Sequence, residues 1–298
     1  MILVTGGTGF IGSRVVQKLI QSGEPVRILV RPKHSTPRLP KNIALDIAVS
    51  SLADDRGLQT AFRGVDTLFH FATAENQGFA DELEQVDVEG TRCLIDAAKD
   101  SGVKHILFLG RIGADKSSSY PVLRSKALAE DIIRKAAIPY CSLRLTDVFG
   151  AGDHFTTAFA AGIKRAPIIY FLPGNGTILT QPLWVEDLVA IIMLIYEKKR
   201  FNNEVFEIGG GEFIEFRQLV RLLMTAIGSK KALMPLAPAY LRLINLWLRK
   251  ADAVYPISTH WLDLLALDRT CPLDSMTRNF AILPSRFANH LGYLGKQD

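Results

Sequence analysis

The chain has 298 residues, 48% of them hydrophobic and 22% charged, and lysine plus arginine exceed acids by 35 − 30 = 5. That length suits about two domains at roughly 150 residues each, and the composition excludes disordered, collagen-like and coiled-coil chains. The basic excess is shared between the two halves without an aromatic-interleaved basic stripe, so no nucleic-acid partner is expected.

The first predicted strand is Ile2–Thr5, apolar almost throughout. It runs into Thr5-Gly6-Gly7-Thr8-Gly9-Phe10-Ile11-Gly12, and a predicted helix, Ser13–Ser22, follows. A glycine turn between a strand and a helix is the context that makes this motif credible. Glycine allows a tight turn and close backbone approach to a pyrophosphate, and the next helix offers free N–H groups and its positive end. A dinucleotide is therefore the expected ligand.

The second predicted strand, Val26–Val30, ends in Arg31, with Lys33, His34, Arg38 and Lys41 beyond it. No acid stands between Pro25 and Leu45 to bind a ribose 2′-OH. Arg31 can pair with a 2′-phosphate and stack on adenine, so NADP(H) is favoured over NAD(H), against the plainer reading of a solvated basic loop. Ile43–Leu45 reads as a third strand, followed by Asp46-Ile47. Asp46 there can accept from an adenine amino group, or serve as a cap or turn aspartate.

Leu58–Arg63 reads as a helix, and Thr67–Ala72 as a fourth strand carrying His70, expected to be a packed neutral histidine. Phe79–Ser101 reads as a helix with the acid-rich run Asp81–Glu89 on its solvated face. His105 precedes the strand Ile106–Leu109 and is expected at a surface; the loop with Ser117, Ser118 and Ser119 follows. Then come the helix Pro121–Ala137 and the strand Ser142–Leu145. Strands of this kind, alternating with helices, predict an α/β fold: a Rossmann-type, doubly wound parallel sheet covered on both faces.

The alternation weakens after Gly150, although Val185–Glu197 and Phe216–Ile227 read as helices and Glu204–Ile208 as a strand. The expected division is residues 1–150 as the nucleotide domain and 151–298 as a smaller mixed lobe, with some segments able to return to the first domain. Late in the chain, Tyr240–Arg249 has a narrow polar stripe of Arg242, Asn245 and Arg249, and Trp261–Leu267 is again apolar. Packing within the lobe is the plain reading of 240–267; the alternatives are an apolar-substrate pocket, peripheral membrane contact or a protein interface.

Three cysteines, Cys93, Cys141 and Cys271, form no disulfide or zinc framework, and no metal site is expected. The longest apolar run, Leu188–Tyr196, is far short of the roughly 20 residues that span a bilayer. The chain opens on the strand-like Met1–Val4, so no signal peptide is expected before the first motif. A cytoplasmic protein, or one peripheral at the inner face of a membrane, is the expectation. Mean hydropathy is +0.16, and its sources are the doubly buried strands and the 240–267 region.

These residues resemble the extended and atypical short-chain dehydrogenase/reductase superfamily over nearly the whole chain. Besides the glycine turn, the resemblance rests on Phe69-His70-Phe71-Ala72-Thr73-Ala74 and on Val86-Asp87-Val88-Glu89-Gly90-Thr91, similar to the family's VNVxGT. Ser125-Lys126-Ala127-Leu128-Ala129-Glu130 is similar to its SKxxxE, and Arg144 through Asp153 to its RPxxVFGxGD. Gln181 through Leu188 resembles P-x-x-V-x-D-[VL]. The nearest subgroup in pattern is that of the nucleotide-binding accessory subunit of respiratory complex I and NmrA-like proteins.

The resemblance implies that Gly6, Thr8, Gly9, Phe10, Ile11 and Gly12 hold the pyrophosphate. It implies that Ala72 and Thr73 flank the adenosine ribose, that Lys126 binds the nicotinamide ribose, and that substrate lies between the domain and the lobe. The segment after Arg144 would contact the nicotinamide, although the family's proline there is Leu145. Active relatives carry a proton-transferring tyrosine four residues before the lysine, on one helix face with it. Here that position is Val122. Tyr120 is six residues from Lys126, roughly 240° around a helix, and is a weak catalytic candidate beside Lys126 itself. The family's serines correspond to the Leu109-Gly110-Arg111 region, its asparagine to Asp87, and His154 is the best placed histidine for a substitute acid.

The implied function is an NADP(H)-binding atypical member with a degraded Ser/Tyr set, using the nucleotide structurally, for sensing or for weak redox chemistry, and able to assist a respiratory or quinone-related assembly. The alternative is an active oxidoreductase or epimerase acting on an apolar, quinone-like or nucleotide-sugar substrate.

Overall fold

Strands that alternate with helices and are apolar on both faces must be covered on both sides, and the chain folds accordingly. A computed structural model describes residues 1–32, 45–75, 80–237, 239–240 and 263–295. The first strands are β1 (Ile2–Thr5), β2 (Val26–Val30), β3 (Asp46–Val49), β4 (Thr67–His70), β5 (His105–Arg111), β6 (Tyr140–Leu145) and β7 (Val148–Phe149). Later come β8 (Ile169–Pro173), β9 (Leu179–Thr180), β10 (Leu183–Trp184), β11 (Glu204–Ile208), β12 (Ile214–Glu215) and β13 (Ala232–Leu236).

The helices among the described residues include α1 (Phe10–Gln21), α2 (Asp55–Ala61), α3 (Ala80–Leu83), α4 (Gly90–Asp100), α5 (Pro121–Arg134), α6 (Thr156–Arg165), α7 (Val185–Glu197) and α8 (Phe216–Ala226). A π-helical segment, Glu84–Glu89, joins α3 to α4.

The chain divides into two compact units. Met1–Glu75, Phe79–Arg144 and Leu188–Phe206 belong to the first; Leu145–Asp187 and the residues from Glu207 onward belong to the second. The main sheet has the order β3-β2-β1-β4-β5-β6-β11. β1 pairs in parallel with both β2 and β4, so the strand order reverses there. In open sheets of this type ligands bind beyond the carboxyl ends of the strands at that reversal, which puts Thr5 and His70, register partners, at the edge that matters.

All four residues of β1 and of β4 are buried. β3 differs: it is an outer strand with Ile47 41% and Val49 64% exposed. Sequence patterning put this strand at Ile43–Leu45, but Leu45 precedes it and 43–44 lie outside the described residues. α7 accounts for the apolar run Leu188–Tyr196: Leu188, Ile191, Ile192 and Ile195 have no exposed surface, so this is a core helix. No helix among the described residues is long and apolar enough to cross a membrane.

The second unit holds three two-stranded sheets, β7 with β10, β9 with β12 and β8 with β13. Its core packs Phe149, Phe155, Phe159, Phe216 and Phe287 among aliphatic side chains such as Ile163, Leu219 and Leu223. A buried ion pair, Arg269 to Asp147 at 2.7 Å, lies within it. Of the 240–267 region, 241–262 lie outside the described residues; Leu264 and Leu265 are buried and Tyr240 is exposed.

Candidate nucleotide site and its charged edge

The glycine turn has the geometry its residue types require. Gly6 sits at φ +68°, and a Cβ there would meet the Phe71 carbonyl carbon at 2.7 Å and the Ala72 nitrogen at 2.8 Å. A Cβ on Gly12 would lie 2.2 Å from the Gly6 carbonyl oxygen. The first intrahelical bond of α1 runs from the Ser13 N–H to the Gly9 carbonyl. The N–H groups of Phe10, Ile11 and Gly12 therefore point out of the helix end, as first-turn amides do. No acidic residue stands in that first turn. The turn of Gly6, Thr8, Gly9, Phe10, Ile11 and Gly12 thus has the free amides and close backbone approach that an anionic group such as a pyrophosphate requires. When bound, a reduced nicotinamide nucleotide would supply hydride chemistry here.

Arg31 follows the last residue of β2 and is exposed. Lys33, His34, Arg38 and Lys41 lie outside the described residues. Asp46 and Ile47, expected beyond the third strand, instead open it. Asp46 is the register partner of Arg27 and pairs with its guanidinium at 2.7 Å, at the amino end of the strand. The residues that follow the carboxyl end of β3 are Ser50 and Ser51.

A buried hydrogen-bond chain braces the turn. The Thr5 hydroxyl bonds His70 Nδ1 at 2.8 Å and accepts from the Phe71 and Ala72 amides, each at 3.2 Å. His70 Nε2 meets the Thr91 hydroxyl at 2.9 Å, and that hydroxyl donates to the Asp87 carbonyl at 2.6 Å. Thr91 has spent its proton on the carbonyl, so the histidine proton belongs on Nε2 and Thr5 donates to Nδ1. Burial, with Lys126 nearby, pushes His70 down to about 4. It is a neutral strut, as its place in an apolar strand suggested.

Asp87 departs from the sequence expectation. It does not lie on a solvated face of a regular helix but on the π-helical segment, and it is 2% exposed. Its Oδ1 accepts from the Thr73 hydroxyl at 2.7 Å and from Lys126 Nζ at 2.9 Å, and Oδ2 accepts from the Ala74 amide at 2.8 Å. A single carboxylate thereby holds the segment after β4 and the lysine ammonium together. α5 carries Lys126, and Glu130 on the same helix accepts from the Ser142 hydroxyl at 2.8 Å and from Arg144 at 2.6 Å. This ties α5 to β6.

Val122, one turn before Lys126, is 1% exposed and packs with Ala74 and Leu83. The position where active relatives place a tyrosine is an apolar wall. Tyr120 caps α5 through its backbone, and its amide donates to the Ser118 hydroxyl oxygen at 3.2 Å. Among the described residues the Lys126 ammonium bonds Asp87, not the Tyr120 hydroxyl. Ser117 lies in an exposed turn on Asp115.

His105 opens β5 and stacks at 4.7 Å on Phe201, half-buried and not simply at a surface; burial lowers its pKa. His154 is exposed in the second unit, while its neighbour Asp153 accepts from the amides of Gly150, Phe155 and Thr157 and from the Thr156 hydroxyl. Asp153 is a turn former. No group of His, Cys, Asp or Glu among the described residues is arranged to hold a metal ion.

One pair was not foreseen. Arg111 ends β5 where the family has serines, and its guanidinium meets the Glu75 carboxylate at 2.9 Å, the side chains 12% and 18% exposed. The Glu75 amide donates to the Thr73 hydroxyl at 3.1 Å. Arg111, Glu75, Thr73, Asp87 and Lys126 thus form one connected set. The sequence signal was present as two charge replacements, Arg111 and Asp87, each of which reads singly as the loss of a family residue.

A family profile described as the NAD dependent epimerase/dehydratase family matches residues 2–209. A 3-beta-hydroxysteroid dehydrogenase of Mycolicibacterium neoaurum is 25% identical over 267 residues, covering 77% of this chain and 70% of that protein. The photosystem II assembly factor Ycf39 of Cyanophora paradoxa is 24% identical, covering 81% of this chain and 73% of that protein. Among solved structures, a DesIV dTDP-glucose 4,6-dehydratase double mutant from Streptomyces venezuelae, with NAD bound, superposes with a TM-score of 0.77. It is 21% identical and covers 99% of this chain and 96% of that one.

Proposed function

The chain belongs to the NAD-dependent epimerase/dehydratase family, and on that premise we propose that it is an atypical NADP(H)-binding member whose Ser/Tyr proton relay has been dismantled. The nucleotide then serves as a structural or sensing ligand or in weak redox chemistry. The observation that carries this reading is the contrast between the two halves of the site. The glycine turn keeps the close approaches that only glycine permits, whereas Val122 is buried in an apolar wall and Lys126 is paired with Asp87. A lysine held this way can bind a ribose hydroxyl, but the position one turn before it on α5 holds Val122 and no tyrosine to activate.

Arg31 and the absence of an acid between Pro25 and Leu45 support NADP(H) over NAD(H). The Ala72 amide nitrogen lies against Gly6, which supports placing Ala72 and Thr73 at the ribose. Residues 1–150 would supply the nucleotide domain, with α7 and β11 returning to it. A steroid dehydrogenase and a photosystem assembly factor among the relatives are compatible with either chemistry or scaffolding.

Fluorescence titration of the protein with NADPH and NADH tests the reading. Tighter binding of NADPH is expected, with Arg31→Ala losing about tenfold for NADPH and little for NADH, as for one charge-assisted phosphate contact. Equal affinities, or an Arg31→Ala variant that binds NADPH unchanged, would overturn the NADP(H) assignment. Rapid turnover of a simple ketone alcohol with either nucleotide would overturn the loss of the relay.

A further inference from the structure

Arg111 and Glu75 stand at the ligand-binding edge of the sheet, outside the residues that the glycine turn and Lys126 assign to the nucleotide. Arg111 is the last residue of β5, and Glu75 lies three residues beyond Ala72, whose backbone touches the glycine turn. Both side chains are mostly shielded from water. A guanidinium stays protonated and cannot deliver a proton, but it has five N–H donors, so a bond to Glu75 is compatible with one to a ligand oxygen. In a water-poor site such a cation stabilises developing negative charge strongly.

The chemistry of the neighbours narrows the ligand. Hydride addition to a simple ketone leaves a strongly basic alkoxide, which needs an acid in the same step. Val122 cannot supply one, and the Lys126 ammonium, paired with Asp87, is assigned to the ribose in the proposed function. Hydride addition to a quinone or an enone leaves a delocalised phenolate- or enolate-type anion, far less basic, which a fixed cation can hold until water protonates it.

We propose that Arg111, oriented by Glu75, is the polarising group for the oxygen of a conjugated acceptor of quinone or enone type; this rests on reading the first unit as a nucleotide-binding domain. In the step the acceptor takes a hydride with its electron pair from the reduced nucleotide, which is oxidised. One π bond of the acceptor breaks, the charge settles on oxygen beside Arg111, and a proton from water completes the reduced product. Glu75 fixes the guanidinium plane and competes with the anion for it.

The test uses 4-nitrophenol as an anion probe, followed by its absorbance, with the full chain alone and with NADP⁺. The wild type is expected to bind the phenolate in preference to the phenol. Arg111→Met is expected to weaken phenolate binding about tenfold or more, the scale of a charge-assisted bond. Glu75→Gln is expected to tighten it severalfold by removing the competing carboxylate. Because Arg111→Met leaves Glu75 without its partner, Arg111→Lys and the double variant Glu75→Gln/Arg111→Met are measured as well, with folding checked by circular dichroism. Lysine is expected to retain most of the affinity, and the double variant to lose it.

A wild type that binds no phenolate, or an affinity unchanged in both Arg111→Met and the double variant, overturns the proposal. NADPH titration of the same samples separates the two readings. Phenolate binding that depends on Arg111 in a protein blind to NADPH would sink the nucleotide reading and leave this site standing; NADPH binding with Arg111-independent phenolate binding would do the reverse.

Discussion

His70 shows how a single side chain here converts pH into stability. Its folded pKa, about 4, lies below the ordinary 6.5 because it is fully enclosed near Lys126. Between those values the unfolded chain binds a proton that the folded chain refuses, so stability rises with pH across this window. The contribution is complete above about pH 6.5 and is lost as pH falls toward 4, on the order of 3 kcal/mol in all. Urea unfolding at several pH values should show that slope, and His70→Asn should remove most of it; a variant with the wild-type slope would mean that other groups are responsible. Val122 gives the second prediction. Restoring the family's tyrosine by Val122→Tyr forces a ring into a wall formed with Ala74 and Leu83. Overpacking of this kind costs about 1–3 kcal/mol, so a Tm lowered by about 2–10 °C is expected, with no gain in dehydrogenase activity. A stable, newly active variant would show that the wall yields. At this scale the glycines were read from their place between a strand and a helix, and Lys126 and Val122 from the family resemblance. Asp87 and Arg111 were visible only as departures, because a sequence does not say that two charges far apart in the chain meet their partners.

At the scale of elements, the turn between β1 and α1 is tightly constrained. Gly12→Ala would place a methyl group 2.2 Å from the Gly6 carbonyl oxygen, a backbone atom with no rotamer to escape through. The helix must shift, and the amides that would face a pyrophosphate move with it. We expect NADPH affinity to fall more than about tenfold with a stability loss of about 1–3 kcal/mol. Gly23, with φ +78° and nothing within 4 Å of an added Cβ, is the control: Gly23→Ala should cost about 1–2 kcal/mol of backbone strain and leave NADPH binding intact. Equal binding losses in both would show that global destabilisation, not the turn, is being read. The elements also show where sequence patterning fails. β1 and β2 fall where apolar runs predict them, because both faces are buried. β3 does not, because an outer strand with exposed Ile47 and Val49 has no burial pattern to announce it. The π-helical segment was also illegible, and Asp87 with it: a carboxylate in the acid-rich run Asp81–Glu89 reads as solvated, and only its partners Thr73, Ala74 and Lys126 explain its burial.

The whole molecule is organised by a chain that leaves its first unit and comes back. Strand–helix alternation weakens after Gly150, where the expected division fell with some segments able to return, and Leu188–Phe206 lies in the first unit. What this stretch supplies is substantial. β11 is the neighbour of β6 in the sheet, and the amides of Tyr140 and Asn203 are both engaged across that junction, with the Asn203 side chain and the Tyr140 carbonyl. The Tyr196 ring packs edge-on against Phe69 at 5.9 Å, and its hydroxyl donates to Glu24 at 2.7 Å. Phe201 covers His105. A fragment of residues 1–150 contains the complete glycine turn but would expose the edge of β6 and the apolar surface that α7 covers. Unpaired edges and uncovered apolar faces of this kind drive association. The fragment is therefore expected to unfold without a sharp transition, to bind a hydrophobic dye and to bind NADPH poorly. A fragment of residues 1–150 joined by a flexible linker to 185–208 should recover a cooperative transition and NADPH binding together. If residues 1–150 alone melt cooperatively and bind NADPH like the full chain, the returning segment is dispensable and the nucleotide domain is continuous in sequence after all.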